Sequence, residues 1–337
     1  MWAMVLEETG KDLVYKEVPD PVIQEDDDVI IKVKACGVCA TDLKVMSGYI
    51  DTNGLPRILG HEPMGVVTEI GKSVKNVEIG DRVITSTYTV CKNCKFCRNA
   101  RETLCENVSG RLGITHDGGF AEYFKAKAQN IVKVPDNVDD ADAAVIPCGA
   151  GVPYHALVKR IKIEPVDKVV IIGVGGVGIQ AVQLVKSRGA QVIAVDIDED
   201  KLMLARENGA DYTVNSLLPD YLDKMRKIGG LTVLLDTAGI PKMISECSTI
   251  MERGSKIVLV GYGPGKELRM PLELIVLSEF EILGSRGVSI QDAEDLMSLV
   301  SSGQVKPIVK KYKLTEVNEV LKKLKESTIV GRAVVIP

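Results

Sequence analysis

The sequence predicts an α/β protein built from a β-rich domain and a doubly wound parallel sheet. Between Val29 and about Pro147, short β-branched runs alternate with glycine, proline and aspartate turns, a pattern typical of a compact β-rich domain. After Pro147, buried-strand runs alternate with amphipathic helical segments, which favours a parallel sheet covered by helices on both faces. The chain has 337 residues, which is long for a single hydrophobic core.

The predicted elements follow this division. The β-rich part has predicted strands at residues 29–33, 64–70, 82–85 and 131–134. The second part has six predicted strands, at residues 169–173, 191–196, 212–214, 232–236, 256–260 and 280–284. The predicted helices lie at residues 177–187, 199–208, 219–227, 241–251, 292–301 and 317–325, before a closing strand at 332–336. We therefore expect a first domain at residues 1–147, a second at 148–285, and a C-terminal segment, 286–337, that returns to the first.

Charge and hydropathy argue against two classes of function. The net charge is −4 and the charged residues are mixed along the chain, so there is no basic field for a phosphate backbone, and we expect no nucleic-acid partner. The chain begins without a basic region followed by an apolar run, and it contains no run of eighteen apolar residues. We expect a soluble, cytoplasmic protein with no membrane partner, and eight cysteines at metal-type spacings suit a reducing compartment.

Four cysteines form a candidate metal site between residues 91 and 105. Their spacing is C-x2-C-x2-C-x7-C, and the residues are Cys91, Cys94, Cys97 and Cys105. Four thiolates at such a spacing can close around one zinc ion, and nearby lysine and arginine side chains favour the negative charge. The alternative is a pair of disulfides, which cysteines two residues apart seldom form. A closed four-sulfur site has no open position, so the predicted zinc is structural and the chemistry lies elsewhere.

A glycine-rich turn predicts a dinucleotide site in the second domain. The predicted strand at 169–173 leads directly into Gly173, Gly175, Gly176, Val177 and Gly178, and a helix follows. Glycines at these positions allow a tight turn and a close approach of the backbone to a pyrophosphate. This is the fingerprint of a Rossmann-type sheet.

Asp196 ends the next predicted strand, about twenty residues after the turn. An acid there accepts hydrogen bonds from the adenosine ribose and repels a 2′-phosphate, so NAD is expected over NADP. The alternative is an ordinary strand-to-helix turn with a solvated aspartate.

Three further segments complete a resemblance to a known family. They are Cys39-Ala40-Thr41-Asp42, Gly60-His61-Glu62, and Cys148 at the domain boundary. Together with the four cysteines and the glycine-rich turn, they resemble the zinc-dependent alcohol dehydrogenases of the medium-chain dehydrogenase/reductase family. The resemblance covers essentially the whole chain. It implies a GroES-like catalytic domain beside the Rossmann-type domain.

The resemblance also implies a catalytic zinc held by Cys39, His61 and Cys148, with Glu62 as an alternative or transient ligand. Two thiolates and one imidazole leave an open position for substrate. Asp42 is expected to accept a hydrogen bond from the second nitrogen of His61. Cys36 lies three residues before Cys39, but the family motif places the ligand directly before Ala-Thr-Asp, so Cys36 is expected to be structural.

The implied reaction is the reversible oxidation of a primary or secondary alcohol to an aldehyde or ketone, by hydride transfer from a zinc-bound alkoxide to NAD. The proton is expected to leave through Thr41. Many family members end this proton relay with a histidine, and Lys44 occupies the matching position here. Lys44 either takes part in the proton relay or has no role in it.

Two other functions are compatible with the sequence. A medium-chain enzyme acting on a coenzyme A thioester, as a hydroxyacyl-CoA dehydrogenase or an enoyl-CoA reductase, is the alternative within enzymes. A zinc-ribbon binding module is the alternative outside them. The expected complement is two zinc ions per subunit, one catalytic and one structural, together with NAD, a small-molecule substrate, and a homotetramer or homodimer.

Overall fold

The computed structural model describes all residues from 1 to 337, and the chain divides into two compact units. Unit 1 contains Met1–Gly151 and Gly287–Pro337, and unit 2 contains Val152–Arg286. Unit 1 is therefore discontinuous in sequence. None of the helices is both long enough and apolar enough to span a membrane.

The N-terminal part of unit 1 is β-rich, as the β-branched runs between turn residues predict. Its strands are β1 (Trp2–Leu6), β2 (Val14–Glu17), β3 (Asp28–Gly37), β4 (Arg57–Ile58), β5 (Glu62–Ile70), β6 (Arg82–Thr85), β7 (Tyr88–Thr89), β8 (Gly110–Arg111), β9 (Tyr123–Lys127) and β10 (Ile131–Lys133). Two short helices, α1 (Ala40–Met46) and α2 (Asp140–Ala144), lie among them. Asp139 begins α2, where its side chain accepts a hydrogen bond from the backbone N–H of Ala141.

A continuous helical segment follows α2. It contains a π-helical turn at Ile146–Ala150, the short helix α3 (Gly151–Tyr154) and a second π-helical stretch at His155–Arg160. Pro147 lies in the first of these turns, where it has no backbone N–H to donate. π-Helical turns are rare and often occur at functional sites.

Unit 2 is a six-stranded parallel sheet with helices between the strands. The elements are β11 (Lys168–Ile172), α4 (Gly178–Ser187), β12 (Gln191–Asp196), α5 (Glu199–Glu207), β13 (Tyr212–Asn215), α6 (Tyr221–Ile228), β14 (Val233–Asp236), α7 (Pro241–Ser248), β15 (Lys256–Leu259), α8 (Leu272–Ser278) and β16 (Glu281–Gly284). The strand order is β13-β12-β11-β14-β15-β16, the doubly wound arrangement that the alternating pattern predicts. Valine, isoleucine and leucine side chains of the central strands form the core of this unit.

The chain then returns to unit 1 through α9 (Ile290–Ser301), β17 (Val309–Lys313), α10 (Val317–Lys325) and β18 (Arg332–Ile336). β18 pairs with β3, and the seven-stranded sheet of unit 1 runs β10-β6-β5-β3-β18-β17, with β9 also on β3. The main core of unit 1 contains buried residues from both of its sequence segments, including Val29 and Ile31 of β3 and Val335 of β18. The last strand is thus an integral part of the β-rich unit.

Candidate functional site

Three separate segments of unit 1 bring four potential ligands together. Cys39 lies between β3 and α1, His61 and Glu62 lie at the start of β5, and Cys148 lies in the first π-helical turn. Their ligand atoms all lie within 4.8 Å of one another, and we call these four residues the Cys-His cluster. The two sulfur atoms are 3.9 Å apart. Cys36, by contrast, is not part of the cluster, and its fully buried thiol lies 3.7 Å from the carbonyl oxygen of Gly37.

Asp42 connects two members of the cluster. One carboxylate oxygen accepts a hydrogen bond from the backbone N–H of Cys39 at 2.8 Å, and the other lies 3.1 Å from Nδ1 of His61. Asp42 is itself completely buried, so these contacts are shielded from water. The contact with Nδ1 directs Nε2 of His61 towards the cluster. A carboxylate on the far nitrogen of a metal-binding imidazole commonly orients the ring in this way.

Gly60 allows the chain to turn sharply before His61. Its φ is +89°, in the left-handed region, and a Cβ at this position would press against the side chain and backbone of Phe120. On the other side of His61, the Thr87 hydroxyl donates a hydrogen bond to the His61 carbonyl at 3.2 Å. The backbone is therefore fixed on both sides of the imidazole.

Glu62 is paired with Arg332, which lies 270 residues later in the sequence. The guanidinium of Arg332, at the start of β18, donates to Oε1 of Glu62, and both side chains are almost fully buried. Burial raises the pKa of Glu62 to about 7, although the positive charge of Arg332 opposes this rise. No sequence motif indicates Arg332 as the partner of Glu62, because the pairing depends on strand β18 lying against β3.

Two buried polar atoms of the cluster lack hydrogen-bond partners, namely Nε2 of His61 and Oε2 of Glu62. Buried polar atoms are nearly always paired in proteins, so two unpartnered atoms side by side fit a site that binds a cation. Hydrogen bonding with Cys148 lowers the pKa of Cys39 well below its usual value against the opposing effect of burial. Burial disfavours a charge on His61, but the neighbouring Asp42 outweighs it and raises the pKa of the imidazole. Two sulfurs, one imidazole nitrogen and one nearby carboxylate fit zinc.

Thr41 and Lys44 lie on α1, directly after Cys39. The Thr41 hydroxyl is 3.6 Å from the sulfur of Cys39, so it lies beside the cluster. Lys44 is one turn further along the helix and is half-buried.

The second group of potential ligands is the four-cysteine lobe, residues 91–105. The ligand atoms of Cys91, Cys94, Cys97 and Cys105 all lie within 4.8 Å of one another, and none of the four is in a disulfide. Sulfur–sulfur distances include 3.5 Å for Cys94–Cys97 and 3.5 Å for Cys91–Cys105. This arrangement fits a tetrahedral metal ion bound by four thiolates.

Local contacts shift the pKa values of two thiols in the lobe in opposite directions. Backbone N–H groups of Cys97 and Glu106 lower the pKa of Cys94 to about 6. Burial together with the neighbouring sulfur of Cys94 raises the pKa of Cys97 to about 12, and a bound cation would favour the ionised form of this thiol. Lys92 and Lys95 pair with Glu102 and Glu106, and they are therefore neutralised within the lobe.

In unit 2, the glycine-rich turn joins β11 to α4. Gly173 has a φ of +83°, and a Cβ on Gly178 would collide with the carbonyl oxygen of Gly173, so both positions require glycine. Gly175, Gly176 and Val177 form the rest of the turn, directly before the N-terminus of α4. A helix N-terminus presents unpaired N–H groups that suit a phosphate.

Asp196 ends β12, the neighbour of β11, and it contacts this turn. One carboxylate oxygen accepts a hydrogen bond from the backbone N–H of Val174 at 2.8 Å. The other accepts from the N–H groups of Ile197 and Asp198. On the opposite side of β11, the Thr237 hydroxyl contacts the carbonyl oxygen of Gly173 at 2.7 Å. Thr237 is not among the predicted site residues, although its place directly after the strand β14 was a possible signal.

Comparisons with known proteins agree with this geometry. Residues 25–136 match the family described as the alcohol dehydrogenase GroES-like domain, and residues 176–302 match the zinc-binding dehydrogenase family. An alcohol dehydrogenase from Geobacillus stearothermophilus is 37% identical over 99% of this chain and 98% of that protein. An acryloyl-coenzyme A reductase from Sulfurisphaera tokodaii is 33% identical, with all of both chains covered.

The solved structures show the same relationship. The crystal structure of the alcohol dehydrogenase from the hyperthermophilic archaeon Aeropyrum pernix has a TM-score of 0.92, with 32% identity over 100% of both chains. The expected combination of a GroES-like domain and a Rossmann-type sheet is therefore confirmed. This chain belongs to the zinc-type alcohol dehydrogenases of the medium-chain dehydrogenase/reductase family.

Proposed function

We propose that this protein is an NAD-dependent zinc alcohol dehydrogenase that interconverts a primary or secondary alcohol with its aldehyde or ketone. The observation that supports this most directly is the Cys-His cluster, in which Nε2 of His61 and Oε2 of Glu62 are buried without partners. A ligand set of two cysteines and one histidine leaves one position open on a tetrahedral metal. An open position is what distinguishes a catalytic zinc from a structural one.

Cys39, His61 and Cys148 would hold the catalytic zinc, and Cys91, Cys94, Cys97 and Cys105 the structural one. The catalytic zinc supplies a Lewis acid that lowers the pKa of an alcohol. Asp42 orients the imidazole of His61, and Arg332 holds one oxygen of Glu62. Because Oε2 of Glu62 has no hydrogen-bond partner, Glu62 would be available as an alternative ligand for the zinc.

Unit 2 would bind NAD at the carboxyl ends of β11 and β12. The glycine-rich turn and the N-terminus of α4 would receive the pyrophosphate. Oδ2 of Asp196 accepts one hydrogen bond, from Val174, and so retains a lone pair for a ribose hydroxyl. Asp198 and Glu199 add negative charge nearby, which disfavours the 2′-phosphate of NADP.

Thr41 would carry the alcohol proton away from the cluster. Its hydroxyl is beside the sulfur of Cys39, and a hydroxyl can both accept and donate a proton. Lys44, one turn along α1, would lie on the outward side of this route. The nicotinamide of NAD supplies the hydride acceptor.

A coenzyme A thioester enzyme is the second candidate, because a reductase of acryloyl-coenzyme A is 33% identical over the full length. The two candidates differ in the bond that reacts, a C–H bond next to a hydroxyl or a C=C bond next to a thioester. Two assays separate the candidates. An alcohol dehydrogenase forms NADH from an alcohol and NAD, whereas the reductase consumes NAD(P)H in the presence of acryloyl-coenzyme A.

We further infer a cytoplasmic homodimer or homotetramer. Thiol ligands must stay reduced to hold zinc, and the cytoplasm provides that environment. The strand β16 is at the edge of its sheet, and large apolar side chains are exposed close to it in sequence, including Leu272 at 74% and Leu277 at 64%. Unpaired edges and exposed apolar side chains of this kind are usually covered by a second subunit.

The test combines zinc content with coenzyme reduction in matched cysteine variants. Cys39→Ala removes a proposed ligand, and Cys36→Ala removes an equally buried cysteine three residues away that is not in the cluster. Zinc per subunit is measured by elemental mass spectrometry on protein purified without chelator. NADH formation is followed with a panel of primary, secondary and aromatic alcohols.

We expect about two zinc ions per subunit in the wild type and in Cys36→Ala, and about one in Cys39→Ala. Turnover of alcohols should be retained in Cys36→Ala and lost in Cys39→Ala. About one zinc ion in the wild type, after zinc has been added back, would contradict the proposal. Consumption of NAD(P)H with acryloyl-coenzyme A, without oxidation of any alcohol, would favour the second candidate.

A further inference from the structure

We infer that Thr237 is a positioning residue for coenzyme binding, which acts with Asp196 to hold the Gly173–Val174 peptide group in one orientation. The inference rests on the proposed NAD site in unit 2. It concerns a residue that makes its contacts with the backbone of the glycine-rich turn.

The peptide group between Gly173 and Val174 is held from both sides. The N–H of Val174 donates a hydrogen bond to Oδ2 of Asp196 at 2.8 Å, and the carbonyl oxygen of Gly173 accepts one from the Thr237 hydroxyl at 2.7 Å. The Thr237 hydroxyl also lies 3.2 Å from the carbonyl oxygen of Ile172, but it has one proton, and the shorter contact is the stronger hydrogen bond. Both halves of one peptide group are thus bound by side chains.

The two side chains come from the two strands next to β11. Asp196 is the last residue of β12, and Thr237 directly follows β14, while β11 pairs with both strands. Because the strands are parallel, their carboxyl ends lie at one edge of the sheet, where the glycine-rich turn begins. The sheet therefore places an acceptor and a donor on opposite sides of the turn.

Thr237 is itself fixed by its neighbours. The preceding residue, Asp236, is fully buried, and both of its carboxylate oxygens lie 3.0 Å from the backbone N–H of Gly239. The backbone N–H of Thr237 donates to the carbonyl of Ile172 at 3.0 Å. The ammonium group of Lys266 contacts the carbonyl oxygen of Gly239 at 2.6 Å. The loop that carries the Thr237 hydroxyl is therefore held by contacts within the protein itself.

This arrangement matters because glycine gives the turn conformational freedom. Gly173 has a positive φ, and glycine tolerates several backbone conformations, so a rotated peptide group is accessible to the free turn. Rotation by half a turn would direct the carbonyl oxygen of Gly173 towards the carboxylate of Asp196, where two negatively polarised oxygens repel, and would break both hydrogen bonds. Holding the peptide group in advance removes an ordering cost from the binding step.

Thr237 and Asp196 would contribute to coenzyme binding in different ways. Asp196 binds the turn and is also the proposed acceptor for the ribose, so its substitution changes affinity and selectivity together. Thr237 contacts the turn alone, and its loss should weaken NADH and NADPH binding by the same factor. The ratio of the two affinities therefore separates positioning from ribose recognition.

The experiment compares the same substitution at the two ends of β14. Thr237→Val removes the hydroxyl at the carboxyl end with little change of shape. Thr232→Val is the matched control, because Thr232 is also half-buried, and its hydroxyl donates to Asp167 and accepts from the N–H of Lys168 at the opposite end. Thr237→Ser keeps the hydroxyl. Dissociation constants for NADH and NADPH are measured by fluorescence titration of the full-length, zinc-loaded protein, and the melting temperature of each variant is recorded.

We expect Thr237→Val to raise the dissociation constants of NADH and NADPH alike, by about five- to tenfold, and Thr237→Ser to remain within about twofold of the wild type. Thr232→Val should lower the melting temperature without changing either constant. If Thr237→Val does not fold, Thr237→Ala replaces it under the same criteria. Unchanged binding by Thr237→Val, or equal weakening by Thr232→Val, would overturn the inference while leaving the NAD site in place. A wild type that shows no saturable NADH binding would instead reject the proposed NAD site, and this inference with it.

Discussion

The buried pair between Glu62 and Arg332 allows a quantitative prediction about the stability of unit 1. Arg332→Met removes the guanidinium but keeps a long, flexible, apolar side chain in its place. The partner, Glu62, has no measurable exposure and would be left as an uncompensated buried carboxylate. Its other oxygen has no hydrogen-bond partner, and Nε2 of His61, which lies 3.4 Å from Oε1, is a proposed zinc ligand.

Removing one partner of a buried ion pair typically destabilises a protein by about 3–5 kcal/mol. We expect Arg332→Met to fall in the lower half of this range, about 3 kcal/mol, because Glu62 is easily protonated once the positive charge is gone. Burial already raises its pKa to about 7 in the presence of Arg332. Glu62→Gln should lower the free energy of unfolding by less, about 1–2 kcal/mol, because a neutral amide still offers an oxygen to Arg332.

The double variant tests whether the two effects share one interaction. With both charges removed, the penalty for an unpaired buried charge disappears. Glu62→Gln/Arg332→Met should therefore be more stable than the sum of the single variants indicates, with a coupling of about 1–2 kcal/mol.

The assay is urea unfolding followed by tryptophan fluorescence. The protein has a single tryptophan, Trp2, which lies in unit 1 and stacks on Tyr15, so the signal reports on the unit that contains the pair. Each protein is brought to the same zinc content first, since bound metal stabilises the folded state. The reasoning would be refuted if each single variant lost less than about 1 kcal/mol in its free energy of unfolding. It would also be refuted if the losses of the two single variants simply added in the double variant.

Three further predictions concern the proton route, coenzyme selectivity and pH dependence. Thr41→Val should lower kcat by about a hundredfold or more while Thr41→Ser retains activity, because a positioned hydroxyl is needed to transfer the proton. Unchanged turnover of Thr41→Val in steady-state assays would exclude Thr41 from the proton route. Asp196→Ser should shift the ratio of kcat/KM for NAD over NADP by about tenfold or more towards NADP, and an unchanged ratio would place the selectivity in another residue. Burial and the nearby Asp139 raise the pKa of Asp142 to about 6, so its neutral form is favoured in the fold and stability is lost as the pH rises from about 4 through 6. Asp142→Asn should therefore stabilise the protein by about 1 kcal/mol at pH 8 after allowance for its partial exposure, and by progressively less towards pH 4, as measured by urea unfolding at each pH.

The parallel sheet was the most predictable part of the fold. Each of its six predicted strands overlaps an observed one, because fully buried parallel strands are nearly continuous runs of valine, isoleucine and leucine. The helix predicted at 317–325 has the observed bounds of α10. The helix α8, Leu272–Ser278, was not predicted, because its run of leucine, isoleucine and valine has no polar face and it packs with much of that surface exposed.

The candidate site was predictable as a set of residues, but its supporting contacts were not. The family resemblance implied the four residues of the Cys-His cluster, which the fold brings within ligand distance, although zinc binding itself stays a prediction. Arg332 was missed because its contact with Glu62 depends on the pairing of β18 with β3. Thr237 was missed because its contact depends on the order of strands around β11. Local sequence does not encode contacts of this kind.

The discontinuity of unit 1 has a consequence for how the protein is made on the ribosome. Residues 152–286 emerge before β18, so unit 2 is fully synthesised while β3 still lacks one neighbour in its sheet. Since domains tend to fold as they emerge, nascent chains at this stage carry an open strand edge in unit 1. Glu62 also waits for Arg332 until after unit 2 has been translated. The coenzyme-binding unit can therefore mature first, and the metal-binding unit is completed only when β18 has emerged from the ribosome.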